Sequence, residues 1–134
     1  MDLGQYKVVQ HSVIFLSSDL VFAARVRAYC QNADMGFYFG SSLPAETNDA
    51  SNKDASNSNV SGELNPRYVI LDLSTQSSLL PTLVEVGRTR FPEAKFIAYA
   101  PHVHKERLAK AQAAGYDEVM TRGQFDVWIT RLSQ

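Results

Sequence analysis

The sequence predicts a three-layer α/β sandwich around a five-stranded parallel sheet, and three observations point there. Ser12–Leu16, Arg67–Leu71 and Lys95–Tyr99 are short and continuously apolar rather than alternating, the pattern of strands buried on both faces. Between such runs lie stretches with apolar residues three and four positions apart, the pattern of helices with one buried stripe. The two kinds of segment alternate along the chain, which implies right-handed crossovers that lay helices on both faces of one sheet.

Ser12–Leu16 is the first strand. Asp19 suits the N-cap of a helix running to about Cys30, with Leu20, Ala23 or Ala24, Val26 or Arg27, and Cys30 at helical spacing. Gly36–Phe39 is the second strand and Arg67–Leu71 the third. Ser77 or Ser78 is placed to cap a second helix that accepts Pro81 in its first turn, turns Leu80, Leu83, Val84 and Val86 inward, and ends near Arg90. Lys95–Tyr99 is the fourth strand. A third helix spans about His104–Ala114, closed by Gly115 in the left-handed conformation. Glu118–Met120 is a short fifth strand. The last helix covers about Gln124–Leu132, with Phe125, Trp128, Ile129 and Leu132 on one face.

Ser41–Pro66 breaks this rhythm. It is rich in Ser, Asn, Asp and Ala and has no apolar periodicity, so it cannot bury enough surface to offset the entropy of ordering. The expectation is one domain over residues 1–134 with a low-complexity insertion at 41–66, where a crossover helix is shortened or missing. A binding loop is the functional alternative to a tolerated surface insertion.

Composition narrows the function classes. Thirteen basic against fourteen acidic residues give a net charge of -1, which argues against nucleic-acid binding through a broad basic surface. The single cysteine, Cys30, cannot close an internal disulfide and fits a reducing, cytoplasmic setting. No apolar run approaches the length of a membrane span, and Met1–Gln10 has no apolar core of a signal peptide. No Gly-rich phosphate loop, nucleophile elbow or zinc-ligand cluster occurs, so an enzyme is not expected.

Three local motifs, with the order of elements, resemble the receiver domain of two-component response regulators. Val69-Ile-Leu-Asp72 is an apolar strand ending in Asp. Phe96-Ile-Ala-Tyr-Ala-Pro-His-Val103 is a strand leading into a helix-starting loop. Ala113-Ala-Gly-Tyr-Asp-Glu-Val-Met-Thr-Arg122 is similar to the family's Ala-Gly-Ala-Asp-Asp-Tyr-Leu-Thr-Lys signature and is the most specific of the three. The resemblance covers about Ser12–Leu132 without the insertion. It implies a flavodoxin-like sheet of order 2-1-3-4-5 with a cleft at the carboxyl ends of the strands.

In that family an Asp takes a phosphoryl group. Two acids after the first strand help it hold Mg²⁺, which demands hard oxygen ligands, and a Thr or Ser and a Lys then grip the phosphoryl group. Carried over by position, Asp72 matches the phospho-acceptor. The acidic pair falls on Ser17 and Ser18, with Asp19 one position late; the hydroxyl position falls on Ala100, the Lys position on Arg122 and the switch aromatic on Val119. The resemblance is therefore to a degenerate receiver, or pseudo-receiver, with weak or no Mg²⁺ binding and no other cofactor. Asp72 reads either as a residual acceptor or as a strand-end residue paired with Arg122.

The implied function is a bacterial two-component or phosphorelay module acting through protein contacts. Its partner would be a histidine kinase or an effector, with a homodimer possible in this family; neither nucleic acid nor membrane is an expected partner of this chain. The family's usual contact surface maps onto Lys105, Arg107, Leu108, Lys110, Val119, Met120, Trp128 and Arg131. The alternatives are a phosphorylatable receiver using Asp72, and a flavodoxin-like domain that binds a small molecule, since fold does not fix function. His102 and His104 lie two apart, a spacing that does not share a helix face, and read as loop and cap residues rather than metal ligands. Ser17 and Ser18 read as residues capping the first helix, Cys30 as core, and Trp128 as an anchor of the last helix.

Overall fold

The computed structural model describes residues 11–45 and 65–132. Five strands form one parallel sheet: β1 (Ser12–Leu16), β2 (Gly36–Gly40), β3 (Pro66–Asp72), β4 (Lys95–Ala100) and β5 (Glu118–Thr121). Their order is β2-β1-β3-β4-β5, as the family resemblance implies. Four helices flank it: α1 (Leu20–Asn32), α2 (Leu80–Arg90), α3 (Lys105–Ala113) and α4 (Arg122–Ile129). None is long and apolar enough to cross a membrane. The strands at the centre, β1, β3 and β4, are the ones that read as unbroken apolar runs, and each is covered on both faces. One core joins Ile14, Leu16, Val69, Leu71, Phe96 and Ala98 to Leu80 and Leu83 of α2 and Ala111 of α3. The other joins Val13, Phe15, Ile70, Ile97 and Tyr99 to Phe22, Ala23, Val26 and Cys30 of α1 and to Phe125 and Ile129 of α4. The alternation of partners along each strand is the pleat turning successive side chains to opposite faces.

Asp19 caps α1, its Oδ1 accepting the Phe22 amide at 3.0 Å. Leu20, expected on the inward stripe, is 72% exposed, and Phe22 takes the buried place instead. The burial of Cys30 pushes its thiol up to about 12, consistent with a core rather than a reactive role. Neither Ser77 nor Ser78 caps α2. They lie in a short 3₁₀ turn, Ser77–Leu79, and the helix begins without a side-chain cap. Pro81 sits in its first turn and removes one of the amides a cap would have had to satisfy. Val86, expected inward, is exposed at 52%. Gly87 is buried in its place because the ring of Phe96 occupies the room a side chain would need.

Gly115 closes α3 at φ +93°. Asp117, inside the most specific motif, ties the amino end of β4: its Oδ2 accepts the Phe96 amide at 2.7 Å and its own amide donates to the Phe96 carbonyl at 2.8 Å. Arg88 reaches the same loop, donating to the Gly115 carbonyl at 2.8 Å. The last helix starts at Arg122, earlier than the expected Gln124, because Thr121 and Gln124 form a capping box. Helix α4 stops at Ile129, short of Leu132. Pro66, expected inside the insertion, opens β3 and pairs in register with Ser12. The rest of the expected insertion falls largely on residues 46–64, outside the described residues.

Two glycine substitutions are expected to have opposite signs. A Cβ on Gly87 would stand 2.4 Å from a ring carbon of the fully buried Phe96. Overpacking of about 1–3 kcal/mol outweighs the helix-propensity gain of up to about 1 kcal/mol, so Gly87→Ala lowers stability. A Cβ on Gly123, within α4, meets nothing within 4 Å, so Gly123→Ala raises stability by up to about 1 kcal/mol. Urea denaturation of the two variants checks both signs.

Candidate functional site: a buried carboxylate at the carboxyl edge of the sheet

The carboxyl ends of β1, β3 and β4 bring Ser17, Asp72 and Tyr99 together. Asp72 is the last residue of β3, pairs in register with Tyr99 and is only 3% exposed. A carboxylate taken out of water needs donors at its oxygens, and here hydroxyls and one amide supply them. Oδ2 accepts from Ser17 Oγ at 2.7 Å and from Thr75 Oγ1 at 3.0 Å. Oδ1 accepts from the Ser74 amide at 3.0 Å and from Ser74 Oγ at 2.7 Å. The four lone-pair positions are thus occupied by three residues of the chain itself.

The donors are held from behind. Ser17 is 2% exposed, and its Oγ accepts the Asp19 amide at 3.0 Å while giving its proton to Asp72. Thr75 Oγ1 accepts the Ser18 amide at 3.1 Å while donating to Asp72. The loops after β1 and β3 are therefore latched together through the carboxylate. Ser17 serves Asp72 rather than capping α1, and Ser18 contributes its backbone while its side chain lies in an exposed position.

Arg122 does not pair with Asp72, contrary to one reading of the sequence. Its guanidinium lies over the Phe22 ring at 4.4 Å from the centroid, and Nη2 stands 3.5 Å from Asp19 Oδ2. Asp72 is already saturated by neutral donors, whereas Asp19, 30% exposed in its side chain, has an oxygen left over from capping. Ala100 ends β4 fully buried and brings no hydroxyl. Tyr99, which lies outside the positions marked by the family resemblance, is 1% exposed. Burial, then the negative charge of Asp72, push its phenol far above the ordinary range. The one signal available in the sequence was its place directly before Ala100 at a strand end.

The residues expected on a partner surface differ in burial and direction. Lys105 and Lys110 are exposed on α3, where Leu108 is half-buried against the α2–α3 core together with Val119 of β5. Arg107 Nη1 lies 3.4 Å from the Leu73 carbonyl and 3.5 Å from His104 Nδ1, turned back toward the cleft. Met120 is buried in the opposite, α1–α4 core, against which Trp128 is packed. Trp128 and Arg131 face the amino edge of the sheet, beside Arg67, Tyr68 and Met35. His104 holds the N-cap position of α3 without a side-chain cap bond, and His102 is exposed. Among the described residues, no three His, Cys, Asp or Glu side chains come together as a metal site.

Similar solved structures are receiver domains. The signal receiver domain of an HD-domain-containing protein from Pseudomonas fluorescens superposes at a TM-score of 0.60 with 15% identity, over 96% of this chain and 90% of that one. The receiver domain of a Saccharomyces cerevisiae response regulator, solved in complex with a histidine phosphotransfer signalling protein, gives 0.56 and 14% over 95% and 92%. A response regulator from Thermotoga maritima gives 0.55 and 13% over 90% and 98%. No family model and no curated protein matches the chain. The likeness is one of fold: the chain has the flavodoxin-like fold of response-regulator receiver domains.

Ser17→Ala removes a buried donor from an ionised acceptor. The loss expected is about 1.5–3 kcal/mol, the range for hydrogen bonds to charged groups. Ser74→Ala loses less, because Ser74 lies at an exposed position where water can take the place of its hydroxyl, whereas Ser17 is buried. Equal losses in thermal or urea unfolding would contradict this reading of the network.

Proposed function

We propose that the chain is a receiver-like signal-transduction module that works through contacts with protein partners and does not use Mg²⁺-dependent phosphorylation of Asp72. The observation that carries this reading is the closed hydrogen-bond shell of Asp72. Each bond to an ionised carboxylate contributes about 1.5–3 kcal/mol, so an incoming phosphoryl group or cation has to displace several of them together.

The donor set also fits Mg²⁺ poorly. The ion favours carboxylate oxygens in near-octahedral array and sheds water reluctantly. Besides Asp72 the cleft supplies hydroxyls, and Asp19 has one oxygen on the Phe22 amide and the other directed to Arg122. Arg122, resting on Phe22, stands where the resemblance asks for a phosphate-gripping Lys, but its planar fork is no equivalent of a compact ammonium. The receiver fold supports the signalling class, and the yeast receiver domain's complex with a phosphotransfer protein supports a protein partner, either a histidine kinase or an effector. The reading makes the chain a non-enzymatic, cytoplasmic module. The competing reading, a phosphorylatable receiver, is favoured by the position of Asp72 at the end of the central strand.

Acetyl phosphate or beryllofluoride with Mg²⁺ separates the two. The expected result is no covalent phosphoryl adduct by intact mass and no amide shifts around residues 17–19 and 72–75. A phosphoryl adduct present in the parent and absent in Asp72→Ala decides for the competing reading.

A further inference from the structure

The amino edge of the sheet, at the far end of β3 from Asp72, holds a cavity of about 160 Å³ lined by Met35, Arg67, Tyr68, Trp128, Arg131 and Leu132. Its size is informative. A cavity of roughly 150 Å³ accepts a benzene-sized group, whereas cofactor and drug-sized sites run to about 300–1,000 Å³. One side chain fits; a nucleotide or a flavin does not.

Its chemistry is equally specific. Tyr68 and Trp128 meet edge to face, ring centroids 4.9 Å apart at 88°, and Trp128 is backed by Phe125 at 5.7 Å. Met35 adds a soft, adaptable wall. Two guanidiniums stand around these rings, and the surface the cavity presents is more polar than apolar. Arg67 lies 5.8 Å from the centroid of the Tyr68 ring, an arrangement that leaves its N–H groups for another acceptor. Neither Arg67 nor Arg131 makes an ion pair among the described residues. Tryptophan, tyrosine and arginine are the residue types that dominate binding energy at protein interfaces. Two cations on a chain of net charge -1 are too few for a nucleic-acid track, but they match a pair of carboxylates flanking an apolar anchor.

We infer that this cavity is a docking site for an acidic segment of a partner protein. One aromatic or aliphatic side chain of the partner seats against Tyr68 and Trp128, and neighbouring Asp or Glu carboxylates engage Arg67 and Arg131. The inference rests on the reading of the chain as a protein-contact module and names the chemistry of the contact.

Trp128 is the chain's single tryptophan, so its emission reports directly on the site. The full chain is titrated with a synthetic peptide carrying one Phe flanked on each side by two acidic residues. The controls are the same peptide with lysines in place of the acids, benzoate alone, and vesicles of anionic lipid. The expected result is a saturable change in Trp128 emission with the acidic peptide and none with the basic one. Arg67→Glu and Arg131→Glu, both at exposed positions, each weaken it roughly tenfold or more, in line with loss of a charge-assisted contact, with far-UV dichroism unchanged. No saturable response to the acidic peptide, equal response to the basic peptide, or undiminished binding by the arginine variants overturns the proposal. Benzoate binding as tightly as the peptide makes this a small-molecule site and also overturns it, as does a response to vesicles in place of peptide. The two readings fail separately. A phosphoryl adduct on Asp72 with peptide binding intact removes only the phosphorylation-independent reading, whereas a silent titration leaves the acetyl phosphate result untouched.

Discussion

A parallel sheet covered on both faces leaves only its two ends open, and this constraint organises the molecule. Residues Val13–Leu16, Val69–Leu71 and Phe96–Ala98 are fully buried between the two helical layers. A polar side chain in the middle of those strands would have no partner. Polar side chains meet at the carboxyl edge, where Asp72 lies, and at the amino edge, where Arg67 and Arg131 stand beside Tyr68 and Trp128.

At the carboxyl edge the constraint becomes an electrostatic one. Asp72 is buried, and its carboxylate is met by hydroxyls and a backbone amide. That choice settles its neighbours. Ser17 is fixed between Asp72 and the Asp19 amide, Thr75 between Asp72 and the Ser18 amide, and Arg122 is left to stack on Phe22 and face Asp19. A second buried acid near Asp72 would bring like charges together in a low-dielectric setting, at a cost the hydroxyls avoid. The serines at the acid positions and the closed shell are two aspects of one arrangement.

Between the two ends runs a column of aromatic rings in the α1–α4 layer. Tyr99, beside Asp72, stacks on Phe125 at 4.4 Å and 4°; Phe125 stacks on Trp128 at 5.7 Å; Trp128 meets Tyr68 at the amino edge. Phe15 lies within 6.4 Å of Tyr99 and Phe125 with its ring nearly parallel to both. Such ring pairs add about 0.5–1.5 kcal/mol per well-placed pair beyond their burial. The single Trp, read from the sequence as a helix anchor, links Phe125 to Tyr68 in this column.

The amino-acid sequence by itself determined the class of fold and several stops and starts, while the order of the strands came with the family resemblance. Unbroken apolar runs require two-sided burial, Asp19 caps α1, and Gly115 supplies a positive φ that other residues resist. It also put Asp72 at a strand end and hydroxyls where acids were expected. Local pattern was less reliable where tertiary space made the choice: Leu20 and Val86 fit a helical stripe yet lie outside, since Phe22 and Gly87 match the surfaces opposite. Only the tertiary structure decided the partners. Ser17 and Asp72 are 55 residues apart, Arg67 and Trp128 lie on different elements, and no spacing along the chain encodes which donor reaches which acceptor. The physical reason is that side-chain pairing at the sheet edges depends on strand register and loop path, which form only when distant segments pack.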